Sequence, residues 1–94
     1  KRRRNYIVKA LNEIGLECHM PQGAFYVFPS IKSTGETSMA FAQNLLKKKK
    51  VALVPGVAFG PSCEGYVRIS YASAYDSLKE AVSRIDSYLK SRKT

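Results

Sequence analysis

The sequence lacks tryptophan, has one histidine and two cysteines, and contains no long apolar run. Cys18 and Cys63 form no Cys-x-x-Cys pair, and His19 alone does not complete a zinc site with them. A disulfide between the cysteines stays open, and the favoured interpretation is two free thiols in a reducing, cytoplasmic compartment. No stretch approaches the ~20 apolar residues of a transmembrane helix. No apolar signal-peptide segment follows the basic amino terminus.

The scarcity of catalytic residue types argues against a self-contained enzyme. An enzyme acting alone needs a nucleophile, a general base or a metal cluster, and none assembles around His19. A surface or capping role is the favoured interpretation of this histidine. The loop at residues 56–60 is not a G-x-G-x-x-G motif and opens no helix, so it is not a phosphate cradle. The sequence therefore predicts no catalytic residue, no cofactor-binding residue and no metal ligand in this chain.

A net charge of +9 is the clearest bias in the composition. Such an excess is typical of proteins that bind nucleic acid or anionic membranes. Most of the cations lie in residues 1–4, 47–50 and 90–93, and no aromatic residues interleave these blocks, as a base-stacking surface would require. The favoured interpretation is a set of solvated element ends without a nucleic-acid or membrane partner. A stand-alone basic α/β module that binds nucleic acid is the alternative.

The hydrophobic periodicity predicts one small domain with the element order α-β-α-β-β-α. The first helix ends at Gly15. Its leading cations oppose the helix macrodipole and no capping residue precedes them, so we expect the beginning of this helix to lie outside the sequence. Aromatic and β-branched residues predict a strand over residues 24–28, which Pro29 ends. A second helix is predicted over about residues 37–49. Its predicted buried stripe consists of Met39, Ala42, Leu45 and Leu46.

The second half of the chain carries two strand patterns and a final helix. The apolar run at residues 51–54 predicts a strand buried on both faces. Residues 66–72 alternate, which predicts a half-buried strand. Ser73 and Asp76 resemble a capping box at the start of the last helix. The predicted buried positions are Val67, Ile69 and Tyr71 on the strand, and Leu78, Ala81, Val82, Ile85, Tyr88 and Leu89 on the helix.

These elements predict an α+β fold around a three-stranded mixed sheet. The β-α-β unit crosses over right-handedly and leaves its two strands parallel. The third strand can then insert between them, antiparallel to both. The predicted strand order is 1-3-2, with the helices packed on one face of the sheet. The other face is left open or covered by something outside the sequence.

Arg68 is the one charged residue that the predicted elements place in an unusual position. It lies in the middle of the central strand, on the face opposite to Val67 and Ile69. A guanidinium group is costly there unless it is solvated or paired, and its planar fork suits a bidentate carboxylate. The pattern alone favours an exposed arginine on an open sheet face over a functional one.

Three blocks of sequence resemble one known family. They are Gly-Ala-Phe-Tyr-Val-Phe-Pro at residues 23–29, Val-Ala-Leu-Val-Pro-Gly-Val-Ala-Phe-Gly at 51–60 and Tyr-Val-Arg-Ile-Ser-Tyr-Ala at 66–72. In order and spacing they are similar to the carboxy-terminal part of class I/II (fold type I) pyridoxal-phosphate-dependent aminotransferases, of the aspartate and aromatic type. The resemblance covers nearly the whole chain, including both flanking helices.

This resemblance implies that residues 1–94 are the C-terminal small domain of such an enzyme, which packs over the active site of a large cofactor-binding domain. It implies that Arg68 binds the substrate α-carboxylate. The implied reaction transfers an amino group from an L-amino acid to a 2-oxo acid in a cytoplasmic homodimer. The Schiff-base lysine and the residues that hold pyridoxal 5'-phosphate lie upstream in the family, so the isolated chain is expected to be inactive. A regulatory small-molecule-binding domain of similar topology is a third hypothesis.

Overall fold

A computed structural model describes residues 2–19, 25–72 and 74–91 of the chain. Its elements follow the predicted order, with three helices and three short strands. They are α1 (Arg2–Glu13), β1 (Tyr26–Val27), α2 (Ser38–Lys49), β2 (Val54–Pro55), β3 (Val67–Ser70) and α3 (Tyr75–Ser91). Three 3₁₀ turns occupy Lys32–Thr34, Gly56–Phe59 and Pro61–Cys63.

The sheet has β3 at its centre and the strand order β1-β3-β2, which confirms the predicted order. Tyr26 pairs with Ser70 on one side of β3, and Val54 pairs with Arg68 on the other. Both pairings are antiparallel. The prediction of a mixed sheet is therefore wrong, because β1 and β2 run in the same direction but never lie next to each other.

One core joins the sheet to all three helices. The inward residues Val27, Val67 and Ile69 of the strands alternate with outward ones, and this confirms the alternation predicted for the third strand. The predicted stripe of α3 is also buried, except that Ala81 is only half-buried. The helical residues in the core cluster are Ile7, Val8, Ala10 and Leu11 of α1, Phe41 and Leu45 of α2, and Leu78, Val82, Ile85, Tyr88 and Leu89 of α3.

The buried face of α2 differs from the prediction. Thr37 caps the helix, its hydroxyl accepting a hydrogen bond from the backbone N–H of Ala40 at 3.1 Å. Met39 and Leu46 are 44% and 52% exposed, because the aromatic ring of Phe41 takes the core position and meets Tyr88 edge to face. The residues that are buried on this helix are Ser38, Phe41, Ala42 and Leu45.

The strand predicted at residues 51–54 is also corrected. The regular pairing begins only at Val54, and none of these residues is fully buried. The reason is the end of α2: Lys50 adopts a left-handed conformation with φ 59°, and the N–H of Val51 donates back to the carbonyl of Leu45. The first residue of the run therefore completes the helix end. Pro55 is tolerated because β2 lies at the edge of the described sheet.

The remaining boundaries are close to those expected. Gly15 has φ 98° just after α1, as predicted for a helix end. Pairing on β3 extends beyond its regular strand, since Tyr66 bridges Ser30 and the N–H of Tyr71 donates to Phe25. Ala24 and Ser73, and with Ser73 the predicted capping box, lie outside the described residues.

Candidate carboxylate-binding site

Arg68 lies at the centre of the sheet, on the face away from the core. Its neighbours Val67 and Ile69 are buried against the helices, so the alternation of the strand directs Arg68 outward. The side chain is half-buried. The sequence therefore placed this residue correctly on the central strand and on the outward face.

Two aromatic rings hold the guanidinium group of Arg68. Its central carbon lies 4.2 Å from the ring centroid of Tyr26 and 4.8 Å from that of Phe59. Tyr26 comes from the adjacent strand β1, whereas Phe59 ends the 3₁₀ turn that follows β2. Cation–π contacts of this kind are worth about 0.5–2 kcal/mol each, depending on exposure. The two rings restrict the arginine to a defined orientation without neutralising its charge.

Arg68 has no anionic partner among the described residues. The two ion pairs found there both lie along α3, between Arg84 and Glu80 and between Lys90 and Asp86. No described carboxylate forms an ion pair or accepts a hydrogen bond from Arg68. A half-buried cation that is held in place but unpaired is suited to receive an anion from outside this chain.

The surroundings of Arg68 are apolar and exposed. Phe28 is 46% exposed and Phe59 is 44% exposed. Phe28 contacts Phe59 edge to face, with the ring centroids 6.0 Å apart. An apolar rim of this kind lowers the local polarity, which strengthens the attraction of a guanidinium group for a carboxylate.

The turn that carries Phe59 is fixed by a close backbone approach at Gly56. The N–H of Gly56 donates to the carbonyl of Tyr66 at 2.7 Å. A Cβ atom at position 56 would collide with the carbonyl oxygen of Cys63 and lie 2.5 Å from that of Tyr66. Only glycine fits at this point, so the Pro-Gly of the second block serves the turn rather than a phosphate.

A carboxylate from the same turn region reaches the start of α2. Glu64 accepts hydrogen bonds from the backbone N–H of Ser38 at 2.7 Å, from its hydroxyl at 3.0 Å and from the N–H of Gly65 at 3.0 Å. The bond from the Ser38 backbone is the largest cause that lowers the pKa of Glu64, with partial burial opposing it. The hydroxyl of Ser38 in turn accepts from the N–H of Val57 at 3.2 Å.

The sequence did not identify Tyr26 and Phe59 as parts of this site, nor Glu64 and Ser38 as residues that contact the turn of Phe59. Tyr26 could have been suspected, because strand alternation places it outward next to the inward Val27. No local pattern marks the others, since they are brought together by contacts between distant segments.

The histidine and the two cysteines are not part of the site around Arg68. His19 is exposed, and its carbonyl receives a contact from the Cys18 thiol at 3.7 Å. Cys18 and Cys63 are free thiols, as the sequence predicted, and form no disulfide with each other. Burial raises the pKa of the Cys18 thiol to about 11, so it is protonated at neutral pH and a poor nucleophile. Over the described ranges, no three His, Cys, Asp or Glu side chains assemble as a metal site.

Two side chains of the lysine run at the end of α2 contact α3. The ammonium group of Lys48 lies over the ring of Tyr88, and that of Lys49 donates to the hydroxyl of Ser87 at 3.0 Å. The first three lysines of the run occupy the last turn of the helix, where cations favour the macrodipole.

Comparison with known proteins identifies the family. The profile of "Aminotransferase class I and II" matches residues 1–85, so the chain belongs to this family. YugH of Bacillus subtilis is 58% identical over 89 residues, covering 95% of this chain and 23% of that protein. "Aromatic-amino-acid aminotransferase 2" of Thermococcus litoralis is 54% identical over 93 residues, covering 99% of this chain and 24% of that protein. The matches lend no support to the nucleic-acid alternative.

The solved structures agree with this assignment. The aromatic aminotransferase of Pyrococcus horikoshii superimposes with a TM-score of 0.95 at 55% identity, over 98% of this chain and 24% of that chain. A chain from Clostridium difficile that is bound to pyridoxal phosphate superimposes with a TM-score of 0.86 at 29% identity, over 94% of this chain and 23% of that chain. The chain thus spans about a quarter of the length of the relatives that it matches.

The described residues of this chain do not fit a pyridoxal-phosphate site on their own. The side chains of Lys48 and Lys49 are engaged by α3, and the only described cation held in the aromatic site is an arginine. An arginine cannot supply the neutral amine that a Schiff base requires, because it stays protonated in proteins.

None of the described helices combines the length and apolar character needed to cross a bilayer.

Proposed function

We propose that residues 1–94 are the C-terminal small domain of a pyridoxal-phosphate-dependent aminotransferase of the aspartate or aromatic type, and that Arg68 binds the α-carboxylate of its substrates. The observation that carries the proposal is the state of Arg68. It is held between two aromatic rings on the central strand and has no carboxylate partner among the described residues. Membership of the aminotransferase family supports the reaction class.

The chemical role of Arg68 is to bind and orient. A guanidinium group presents donors in a fixed fork that matches a carboxylate bidentately. Because Tyr26 and Phe59 already restrict its rotamer, little further side-chain entropy is lost when the substrate binds. Holding the carboxylate in one geometry orients the adjacent Cα–H bond for reaction.

The rest of the active site belongs to the part of the protein outside this chain. In the proposal, that part supplies the Schiff-base lysine and the residues that hold pyridoxal 5'-phosphate, and the enzyme works as a homodimer. The isolated chain is then inactive. A cytoplasmic location agrees with the free thiols of Cys18 and Cys63.

The exposed apolar rim suits contact with the large side chain of a substrate or with a domain that covers this face. The names of the relatives include both aspartate and aromatic aminotransferases. Phe28 and Phe59 form this rim beside Arg68. We propose that both substrate types share Arg68 for the carboxylate and are distinguished by residues elsewhere.

The test of the proposal is Arg68→Ala in the full-length enzyme. The variant loses one partner of a desolvated charge pair, which costs at least about 2 kcal/mol, so kcat/KM for the amino-acid and 2-oxo-acid substrates should fall by at least about 30-fold. Arg68→Lys should recover part of this loss, since it keeps the charge but not the fork. The absorbance of the bound cofactor should be unchanged.

Arg84→Ala is the matched control, because Arg84 is an arginine on the surface of α3 that pairs with Glu80. It should leave the kinetics near those of the wild type. Wild-type kcat/KM for aspartate and aromatic substrates in Arg68→Ala would refute the assignment of Arg68.

A further inference from the structure

We propose that Glu64 and Ser38 are positioning residues for Arg68: through a relay of hydrogen bonds they fix the turn that carries Phe59, and thereby the ring that holds the guanidinium group. This inference rests on the proposed role of Arg68 as the carboxylate-binding residue. It assigns a function to a carboxylate that lies outside the binding site itself and would not touch the substrate.

The relay begins at the first residue of α2. The backbone N–H of Ser38 has no acceptor within its own helix, as is general for the first turn. The Glu64 carboxylate accepts from this group at 2.7 Å, and the amino terminus of the helix favours a negative charge at that place. Thr37 caps the same turn through Ala40, so Glu64 is a second acceptor there rather than the only cap.

The hydroxyl of Ser38 carries the relay onward to the turn. A hydroxyl has one hydrogen, and since the ionised carboxylate of Glu64 can only accept, Ser38 donates that hydrogen to Glu64 at 3.0 Å. The lone pairs of the same oxygen then accept from the N–H of Val57 at 3.2 Å. Ser38 is fully buried, so water does not compete for these bonds.

Phe59 depends on this backbone support because it has little packing of its own. Its side chain is 44% exposed, and its ring contacts are with Phe28 and Arg68. Val57 lies two residues before it in the same 3₁₀ turn, and the N–H of Gly60 donates to the carbonyl of Val57 at 3.1 Å. A displacement of Val57 is therefore passed to Phe59 through the turn.

Glu64 also holds the end of the segment that connects the turn of Phe59 to β3. Its Oε2 atom accepts from the N–H of Gly65, next to the start of β3. The Glu64 carboxylate thus bonds to the beginning of α2 and to the entry of β3, and through the Ser38 hydroxyl it is linked to the turn that carries Phe59. Its loss should loosen Phe59 relative to Arg68 while leaving the sheet paired.

The decisive experiment is a double-mutant cycle between Glu64→Gln and Phe59→Ala in the full-length enzyme. Glu64→Gln keeps the shape but replaces a charged acceptor by a neutral amide. We expect it to raise KM for the amino-acid substrate by about threefold to tenfold, with a smaller change in kcat and an unchanged cofactor absorbance. In the Phe59→Ala background the same substitution should change KM by less than about twofold, because its effect passes through Phe59.

Ser38→Ala is the second variant, and it should show the same dependence on Phe59 because it removes the middle of the relay. Glu36→Gln is the matched control, since the Glu36 carboxylate accepts from the hydroxyl of Tyr88 on α3 instead. This control should leave KM within about twofold of the wild type.

The outcomes separate this inference from the proposed function. If Glu64→Gln lowers the melting temperature but leaves KM unchanged, or raises KM equally with and without Phe59, the relay is only structural and the inference is wrong. If Arg68→Ala itself leaves kcat/KM unchanged, the proposed role of Arg68 is wrong, and the relay that rests on it is rejected as well. A raised KM in Arg68→Ala with a silent Glu64→Gln rejects the relay alone.

Discussion

At the scale of single residues, the site is one cation and the groups that hold it. Arg68 is half-buried, and neighbouring aromatic side chains, rather than a carboxylate, are its described partners. An acidic partner would have satisfied the arginine and competed with a substrate. Aromatic rings stabilise the charge through their quadrupoles and leave the hydrogen-bond donors of the guanidinium group available.

Tyr26 tests whether the ring or the hydroxyl matters for this support. Tyr26→Phe keeps the ring and should leave substrate KM within about twofold of the wild type. Tyr26→Leu removes the cation–π contact, worth about 0.5–1 kcal/mol at a partly exposed site, and should raise KM by about twofold to fivefold. Steady-state kinetics on the full-length enzyme measure both. Equal KM values for the Leu and Phe variants would show that the ring does not hold Arg68.

At the scale of elements, α2 shows how one large side chain sets the orientation of a helix. Its apolar residues allow more than one buried stripe, and Leu45 and Leu46 are adjacent, about 100° apart around the axis. The contact of Phe41 with Tyr88 selects the face that contains Leu45. Leu46 is left more than half exposed. This orientation also directs the amino-terminal N–H of Ser38 to Glu64.

The two adjacent leucines give a direct test of this orientation. Leu45→Ala deletes a fully buried side chain and should lower the free energy of unfolding by about 2–5 kcal/mol. Leu46→Ala changes an exposed side chain and should lower it by only about 0.5 kcal/mol. Thermal or urea unfolding of the two variants measures the difference. Equal losses would mean that the stripe predicted from sequence, with both leucines buried, is the correct one.

At the scale of the whole molecule, a helical core covers one side of the sheet and the opposite side carries the candidate site. Buried apolar residues from all three helices and the inward strand residues form a single cluster. Tyr26 and Arg68 lie on the strands but not in that cluster. Glu64 connects the two parts, because it bonds to the start of α2 and lies at the entry to β3. Its ionisation should therefore affect the stability of the molecule.

The stability of the protein should depend on pH through Glu64. Its folded pKa lies below its ordinary value of 4.5, so the carboxylate contributes stability above about pH 4.5 that is lost as the pH falls through the folded pKa. Glu64→Gln cannot ionise. The difference in melting temperature between wild type and variant should therefore be largest near neutral pH and should shrink on acidification. A difference that stays constant from pH 7 to pH 3 would contradict this role.

Much of the fold could be predicted from the sequence, because local periodicity encodes it. The element order, the alternation of β3 and the buried stripe of α3 are confirmed. The errors occur where a local pattern was ambiguous. The apolar run at residues 51–54 fits either a strand or the residues that close the end of a helix. Its first residue completes α2.

The sequence by itself determined that Arg68 faces away from the core on the central strand, because a strand alternates with a period of two and its neighbours are apolar. Only the tertiary structure decided what surrounds it. Tyr26 and Ser38 come from segments that are distant from Arg68 along the chain, and the packing of β1 and α2 brings them to it and to Glu64. Periodicity specifies which side of an element is buried, but it carries no information about which distant side chain will lie opposite.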